Sequence, residues 1–219
     1  MTKLFHGLYA IVDADFSKKI AIPCEDLARD YLEGGVPILQ LRDKGRKKSE
    51  SHFEGFRKTA EKIASLKKDY DFIFILNDEV AVARSVGADG VHVGQEDPSI
   101  EECRSQLGFS KWIGYSSHSV EEALEAEKKG ANYVAFGAVY PTTSKNVEHP
   151  IQGIQKLKDV IASVTVPVVA IGGIGRKNLQ EVRMTGVECV AMISALAEGR
   201  NREERIETVR FFVQAMTMR

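Results

Sequence analysis

Short apolar runs alternate with longer amphipathic stretches from one end of the chain to the other. The apolar runs predict strands over residues 8–12, 38–42, 72–76, 90–93, 112–116, 133–136, 167–171 and 189–193. They are rich in Val, Ile and Phe and alternate little with polar residues, the pattern of strands covered on both faces. Between them, apolar residues at helical spacing predict helices over 24–34, 48–65, 79–86, 100–107, 120–129, 152–162, 177–185 and 203–216. Ser99 with Glu102, and Ser119 with Glu122, have capping-box spacing at two of the helix starts. A glycine that closes a helix and leads into a buried strand recurs in GGVPILQL, GADGVHVG, GANYVAFG and GVECVAMI, near Gly35, Gly87, Gly130 and Gly186. Glycine suits the left-handed position just past a helix, and these copies precede every second strand. The repeated strand–helix unit predicts an α/β fold of one domain over residues 1–219, a closed (β/α)8 TIM barrel rather than an open doubly wound sheet. In such a barrel the active site lies at the C-terminal rim of the strands.

Composition narrows the function classes. A chain of 219 residues buries about 70% of its unfolded surface and needs no disulfide or metal staple. Lys and Arg number 30 against 31 Asp and Glu, for a net charge of −1, which gives no footprint for nucleic acid. Cys24, Cys103 and Cys189 lie far apart with no CxxC spacing, as in a reducing cytoplasm. Residues 1–12 lack the pattern of a signal peptide, and no apolar stretch reaches the length of a membrane span. The expectation is a soluble cytoplasmic protein, with homo-oligomerisation left open.

The predicted rim loops carry the chemistry. Asn77 and Asp78 follow the third strand, and Gln95, Glu96 and Asp97 follow the fourth. Two carboxylates on one rim can hold a hard cation, and Mg²⁺ is usually bound by one or two carboxylates plus substrate phosphates. Both acids also precede helical patterns, so a role as helix N-caps stands equally beside the metal role. Alternation sends Gln40 and Arg42 to one side, inward at the mouth, where Arg42 and Lys44 would face an anion. Taken alone, a solvated charge run partly neutralised by Asp43 is the simpler account of this pair. Ser116 stands at the rim as a donor to an anion or a heterocycle. His92 reads as a hydrogen-bonded core residue, and His118 as part of a helix start, with an acid/base role as its alternative. After the sixth strand, the long loop through Thr142, Thr143, Ser144 and Lys145 has the hydroxyls and lysine of a lid over phosphate. Gly172 and Gly173 after the seventh strand, with Ser194 after the eighth, fit the phosphate site that such barrels build from those loops.

The blocks QLRDKG, LNDEVAVARSVGADGVHVGQED, IGYSSHSVEEALEAEKKGANYVAFGAVYPTTSK, VPVVAIGGIGRKNL and VAMISAL resemble the thiamin phosphate synthase family, in order and over nearly the whole chain. The resemblance implies a TIM-barrel transferase that joins hydroxymethylpyrimidine diphosphate to hydroxyethylthiazole phosphate, releases pyrophosphate and uses Mg²⁺. It implies metal carboxylates at Asp78 and Asp97, and diphosphate contacts at Arg42, Lys44, Asn77, Ser116 and Lys145. It further implies a pyrimidine contact at Gln40, a thiazole-phosphate cradle at Gly173, Ile193 and Ser194, and lid positions at Thr142 and Ser144. Loss of diphosphate from a benzylic-type carbon builds negative charge on the leaving group, which Mg²⁺, Arg and Lys stabilise. A pyrimidine-stabilised cation trapped by the thiazole nitrogen needs no protein nucleophile. The chain departs from the family pattern at Ser144, where threonine is usual, and at Ala138, where proline is usual. The implied partners are two small phosphorylated substrates, with no nucleic acid and no membrane. The related thiazole tautomerase, with His118 as its acid/base, is the rival; it typically lacks the Asn-Asp pair and the Gln-Glu-Asp ending that this chain keeps. A Schiff-base aldolase needs a lysine on a strand facing a buried pocket, and none of the predicted strands contains one.

Overall fold

The computed structural model describes residues 5–45, 49–142 and 150–217. Its strands are β1 (Gly7–Asp13), β2 (Ile38–Arg42), β3 (Ile73–Asn77), β4 (Gly90–Val93), β5 (Trp112–Ser117), β6 (Tyr133–Phe136), β7 (Val168–Ile171) and β8 (Cys189–Met192). All pair in parallel in chain order, and β8 returns to β1, closing the barrel. The helices are α1 (Ala14–Lys19), α2 (Cys24–Glu33), α3 (Glu50–Ser65), α4 (Val80–Ser85), α5 (Ile100–Leu107), α6 (Val120–Lys128), α7 (Gly153–Ser163), α8 (Leu179–Arg183) and α9 (Arg202–Thr217). Short 3₁₀ turns follow at Leu66–Lys68 and Ser194–Ala197. The TIM barrel read from the sequence is the fold, and shared elements agree to within about two residues at each end. Among the described residues, no helix is long and apolar enough to cross a membrane.

The weak alternation along the strands has a direct cause. One face of each strand fills the lumen with Tyr9, Ile11, Ile38, Ile75, Tyr133, Val169, Cys189 and Ala191. The other face, including Leu8, Val12, Leu39, Phe74, Val91, Val134 and Val190, packs beneath the helices. Both faces are therefore largely apolar until the chain reaches the rim, with Gln40 and His92 as buried polar exceptions. There the lumen-facing phase continues into polar residues: Asp13 after Tyr9 and Ile11, Arg42 after Ile38 and Gln40, Asn77 after Ile73 and Ile75. The recurring helix-end glycines behave as predicted. Gly35, Gly87, Gly130 and Gly186 have φ of 91°, 68°, 94° and 85°, a region that side chains enter only at a cost.

Two local readings change. Helix α1 has no counterpart in the sequence pattern; it is a six-residue helix whose cap, Asp13, accepts a hydrogen bond from the Phe16 amide at 2.9 Å. At α5 the capping box of Ser99 and Glu102 is complete. At α6 Ser119 caps as expected, but the Glu122 carboxylate accepts from the His118 amide at 2.7 Å.

Candidate active site

Strand β3 delivers Asn77 into the mouth, and the next residue breaks the strand. Asp78 sits at φ 62°, a conformation that Asp and Asn adopt more readily than other side-chain residues. Its amide is held by the His92 carbonyl at 3.0 Å, which turns the carboxyl group back over the rim. Asp97 is fixed from the other side, its Oδ2 accepting from the Gly94 amide at 2.9 Å. Neither acid caps a helix: the residue before α4 is Glu79, with no side-chain cap bond, and α5 is capped by Ser99. The N-cap alternative is thereby overturned. Instead both carboxylates converge on one cation, with Lys44 Nζ at 2.6 Å from Asp78 and 3.0 Å from Asp97.

The electrostatics follow from this crowding. Burial, reinforced by the neighbouring Asp97, pushes the Asp78 carboxyl up from 3.8 to about 6 although Lys44 opposes the rise. Burial also acts against ionised Asp97, but bonds with Asp78, Lys44 and the Gly94 amide outweigh it and hold Asp97 below the usual range. For Lys44, burial is likewise outweighed by the two carboxylates, and its ammonium is stabilised. The group is thus two acids sharing one positive charge. Among the described residues, no cluster of three or more His, Cys, Asp or Glu could hold a metal by itself. A pair of hard oxygen donors that already gathers around a compact cation suits Mg²⁺, which takes its remaining ligands from phosphate and water.

These residues line a cleft of about 370 Å³ that also takes in Arg42, Asn77, Ser116 and His118. Arg42 forms an ion pair with Asp13. Two further donors facing this region, Arg42 Nε and Asn77 Nδ2, are buried and find no acceptor among the described residues. Buried donors without acceptors are costly, and a polyanionic ligand would satisfy them.

Beneath the cleft runs a chain of hydrogen-bonded side chains. Gln40 Nε2 donates to Tyr9 Oη at 2.8 Å, and Tyr9 and Tyr133 share a hydrogen bond of 2.9 Å. His92 Nδ1 lies 3.1 Å from Tyr133 Oη, while its Nε2 lies 2.9 Å from Ser116 Oγ. Burial pushes both phenols well above their ordinary range, so they stay protonated. Tyr133 can lie across the lumen because β5 places Gly114 opposite it; a Cβ there would sit 2.0 Å from the ring. His118, by contrast, is bound through Nδ1 at 3.2 Å to Glu122.

The other half of the rim is built by β6, β7 and β8. The segment after β6 is zipped to the end of β7 by Val139 N to Ile171 O at 2.9 Å and Tyr140 N to Gly172 O at 3.0 Å. Gly173, at φ 65°, passes so close to Pro141 that a Cβ would lie 2.3 Å from its carbonyl oxygen. Asn178 staples this turn, donating to Gly173 O at 2.9 Å and accepting from Gly175 N at 2.8 Å. Ile193 belongs to the lumen layer, and Ser194 begins the 3₁₀ turn. Thr142 is half-buried at the edge of the described chain. Gly173, Ile193, Ser194 and Thr142 therefore share the rim but do not line the acidic cleft. Ser144 and Lys145 lie outside the described residues.

From β1 to the turn after β8, over residues 8–196, the sequence matches the thiamine monophosphate synthase family. The chain belongs to this family. A thiamine-phosphate synthase of Desulfitobacterium hafniense (strain Y51) is 44% identical over 194 residues, covering 87% of this chain and 89% of the relative. The thiamine-phosphate synthase of Pyrococcus furiosus is 39% identical over 207 residues, 94% of each chain. The solved structure of a thiamine phosphate pyrophosphorylase from Pyrococcus furiosus superposes with a TM-score of 0.82 at 36% identity, covering 97% of both chains. A thiamine phosphate pyrophosphorylase from Bacteroides thetaiotaomicron, at 17% identity and a TM-score of 0.64, shares the fold. In this member of the thiamine monophosphate synthase family, sequence reasoning left out Tyr9, Tyr133 and Asp13 and assigned His92 to the core. The tyrosines sit inside apolar runs and look like packing. Asp13 had one available signal, its place at a strand end in phase with Tyr9 and Ile11.

Proposed function

We propose that this chain joins hydroxymethylpyrimidine diphosphate to hydroxyethylthiazole phosphate, forming thiamin phosphate and releasing pyrophosphate. The observation that carries this reading is the meeting of Lys44 with both Asp78 and Asp97 beside the acceptor-less donors of Arg42 and Asn77. That set suits a diphosphate accompanied by a divalent cation better than a single phosphate. Asp78 and Asp97 are the residues that would hold Mg²⁺. When bound, Mg²⁺ supplies Lewis-acid charge to the oxygens of the leaving diphosphate.

The chain's own residues account for the remaining work. Arg42, Lys44, Asn77 and Ser116 take the diphosphate oxygens, and their donors are aimed before the charge develops. Gln40, Tyr9, Tyr133 and His92 offer a floor of hydrogen-bond donors and acceptors to an aminopyrimidine ring. Because the phenols remain protonated, the floor presents no anionic nucleophile to an electron-poor carbon. Gly173, Ile193 and Ser194, with Thr142, form the cradle for the thiazole phosphate on the adjacent part of the rim. The family resemblance assigns lid roles to Ser144 and Lys145, which lie outside the described residues; the segment after β6 that precedes them is pinned to the end of β7. The enzyme's contribution is placement, charge stabilisation and exclusion of water from the cation.

The test is to incubate the purified protein with both phosphorylated precursors and Mg²⁺ and to measure thiamin phosphate. Product that disappears on chelation and returns with Mg²⁺ is expected. Pyrophosphate released without a joined product would mean a different acceptor. Isomerisation of the thiazole phosphate alone would favour the tautomerase reading, in which His118, although tied to Glu122, acts as acid/base.

A further inference from the structure

Arg42 owes its orientation to a residue that lies outside the cleft. Asp13 closes β1 as Arg42 closes β2, and the two are direct partners in the sheet register. Their common lumen-facing phase brings both side chains together at the mouth, where Asp13 is only 3% exposed. Each carboxylate oxygen has a different task. Oδ2 accepts from Arg42 Nη1, while Oδ1 accepts from the Phe16 amide at 2.9 Å and so caps α1. The helix bond fixes the carboxylate plane, and that plane fixes the guanidinium. Arg42 is gripped at Nη1, its Nε left buried and without an acceptor on a side chain that lines the cleft.

The charges divide in the same way. Lys44 is balanced by Asp78 and Asp97, whereas Arg42 is balanced by Asp13. A buried guanidinium without a counter-charge is unfavourable and would turn toward water or toward the acids of the cleft. We propose that Asp13 is a positioning residue for the diphosphate-binding arginine, holding the Arg42 fork in its productive direction with the first turn of α1 as anchor. This rests on the synthase reading above. Asp13 touches no substrate in this scheme; it acts through Arg42.

The alternative is that Asp13 serves only as a helix cap, and substitutions separate the two roles. Asn and Ser are caps as good as Asp. Asp13→Asn can cap α1 with its oxygen but then turns an amide donor toward the guanidinium. Asp13→Ser caps but is too short to reach Arg42. Both variants keep the cap and are expected to fold, melting below the wild type by the cost of the lost ion pair. Each should lose about ten- to hundredfold in kcat/KM for the pyrimidine diphosphate, the scale of a misplaced binding group, while KM for the thiazole phosphate stays unchanged. Binding of inorganic pyrophosphate, followed by calorimetry, should weaken in parallel. Adding either substitution to Arg42→Gln should cost nothing further.

Two properly folded variants with wild-type kcat/KM and pyrophosphate affinity would overturn the assignment. So would losses that multiply with that of Arg42→Gln. Wild-type protein that binds pyrophosphate without forming thiamin phosphate would defeat the synthase reading while the pyrophosphate series still judged Asp13. Wild-type protein that does neither would bring down both.

Discussion

Replacing Asp78 with asparagine should stabilise the metal-free protein while abolishing turnover. Asparagine keeps the size of the side chain and tolerates the left-handed backbone at this position, φ 62°. What changes is the charge. The Asp78 carboxyl is raised from 3.8 to about 6, and the bond to Lys44 already offsets part of the cost of burial in that value. A folded value above the ordinary one means that the acid's favourable contribution is complete below about pH 4 and lost as pH rises through about 6. At higher pH the wild type carries a buried negative charge that the variant lacks. The rise corresponds to about 3 kcal/mol, which solvent screening of this partly accessible site reduces to about 1–2 kcal/mol. For a chain of this size that is a gain of roughly 2–8 °C in melting temperature. The assay is thermal unfolding in chelator at about pH 7.5 and about pH 5, repeated with Mg²⁺ and pyrophosphate. The variant should melt higher at the upper pH and by only about half as much at the lower, which lies midway between the ordinary and the raised value, and the Mg²⁺-dependent stabilisation expected of the wild type should vanish. A gap equal at both pH values, or a variant that melts lower at pH 7.5, would refute the electrostatic argument.

The other half of the rim and the floor give separate tests. Gly173→Ala places a methyl group 2.3 Å from the Pro141 carbonyl oxygen at a positive φ, a conformation costing about 1–2 kcal/mol. It should raise KM for the thiazole phosphate by about tenfold, equivalent to roughly 1.4 kcal/mol of binding, and leave KM for the pyrimidine diphosphate unchanged; steady-state kinetics with each substrate varied checks this. Tyr133→Phe removes the hydroxyl that meets both Tyr9 and His92, at a cost of about 1–3 kcal/mol in stability. Its kinetic effect should be the converse, on the pyrimidine diphosphate alone, and a variant with both KM values at wild-type level would remove the floor from the account.

The fold was legible because two signals agreed. Strands apolar on both faces call for a parallel sheet covered by helices, and eight strand–helix units with glycines recurring at alternate helix ends favour its closure. Helix α1 escaped because six residues are too few to show a helical period. At the site, charge carried most of the information: Arg42, Lys44, Asp78 and Asp97 stand at strand ends, and the barrel brings them into one cleft. Whether Asp78 and Asp97 were caps or partners was undecidable from sequence, since a carboxylate before a helix serves either purpose. The backbone decided it by turning Asp78 into the left-handed region and leaving the cap of α5 to Ser99. Tyr9 and Tyr133 were hidden because a tyrosine in an apolar strand differs from phenylalanine by one hydroxyl, whose partner lies on a strand distant in sequence.

The central claim is that Asp78 and Asp97 together hold Mg²⁺ against the diphosphate. Calorimetric titration of Mg²⁺ into the protein with pyrophosphate present, run on the wild type and on Asp97→Ala, measures it without reference to turnover. Saturable binding in the wild type, strengthened by pyrophosphate and lost in the variant, is the predicted result. Binding of equal strength in the two proteins would contradict the account.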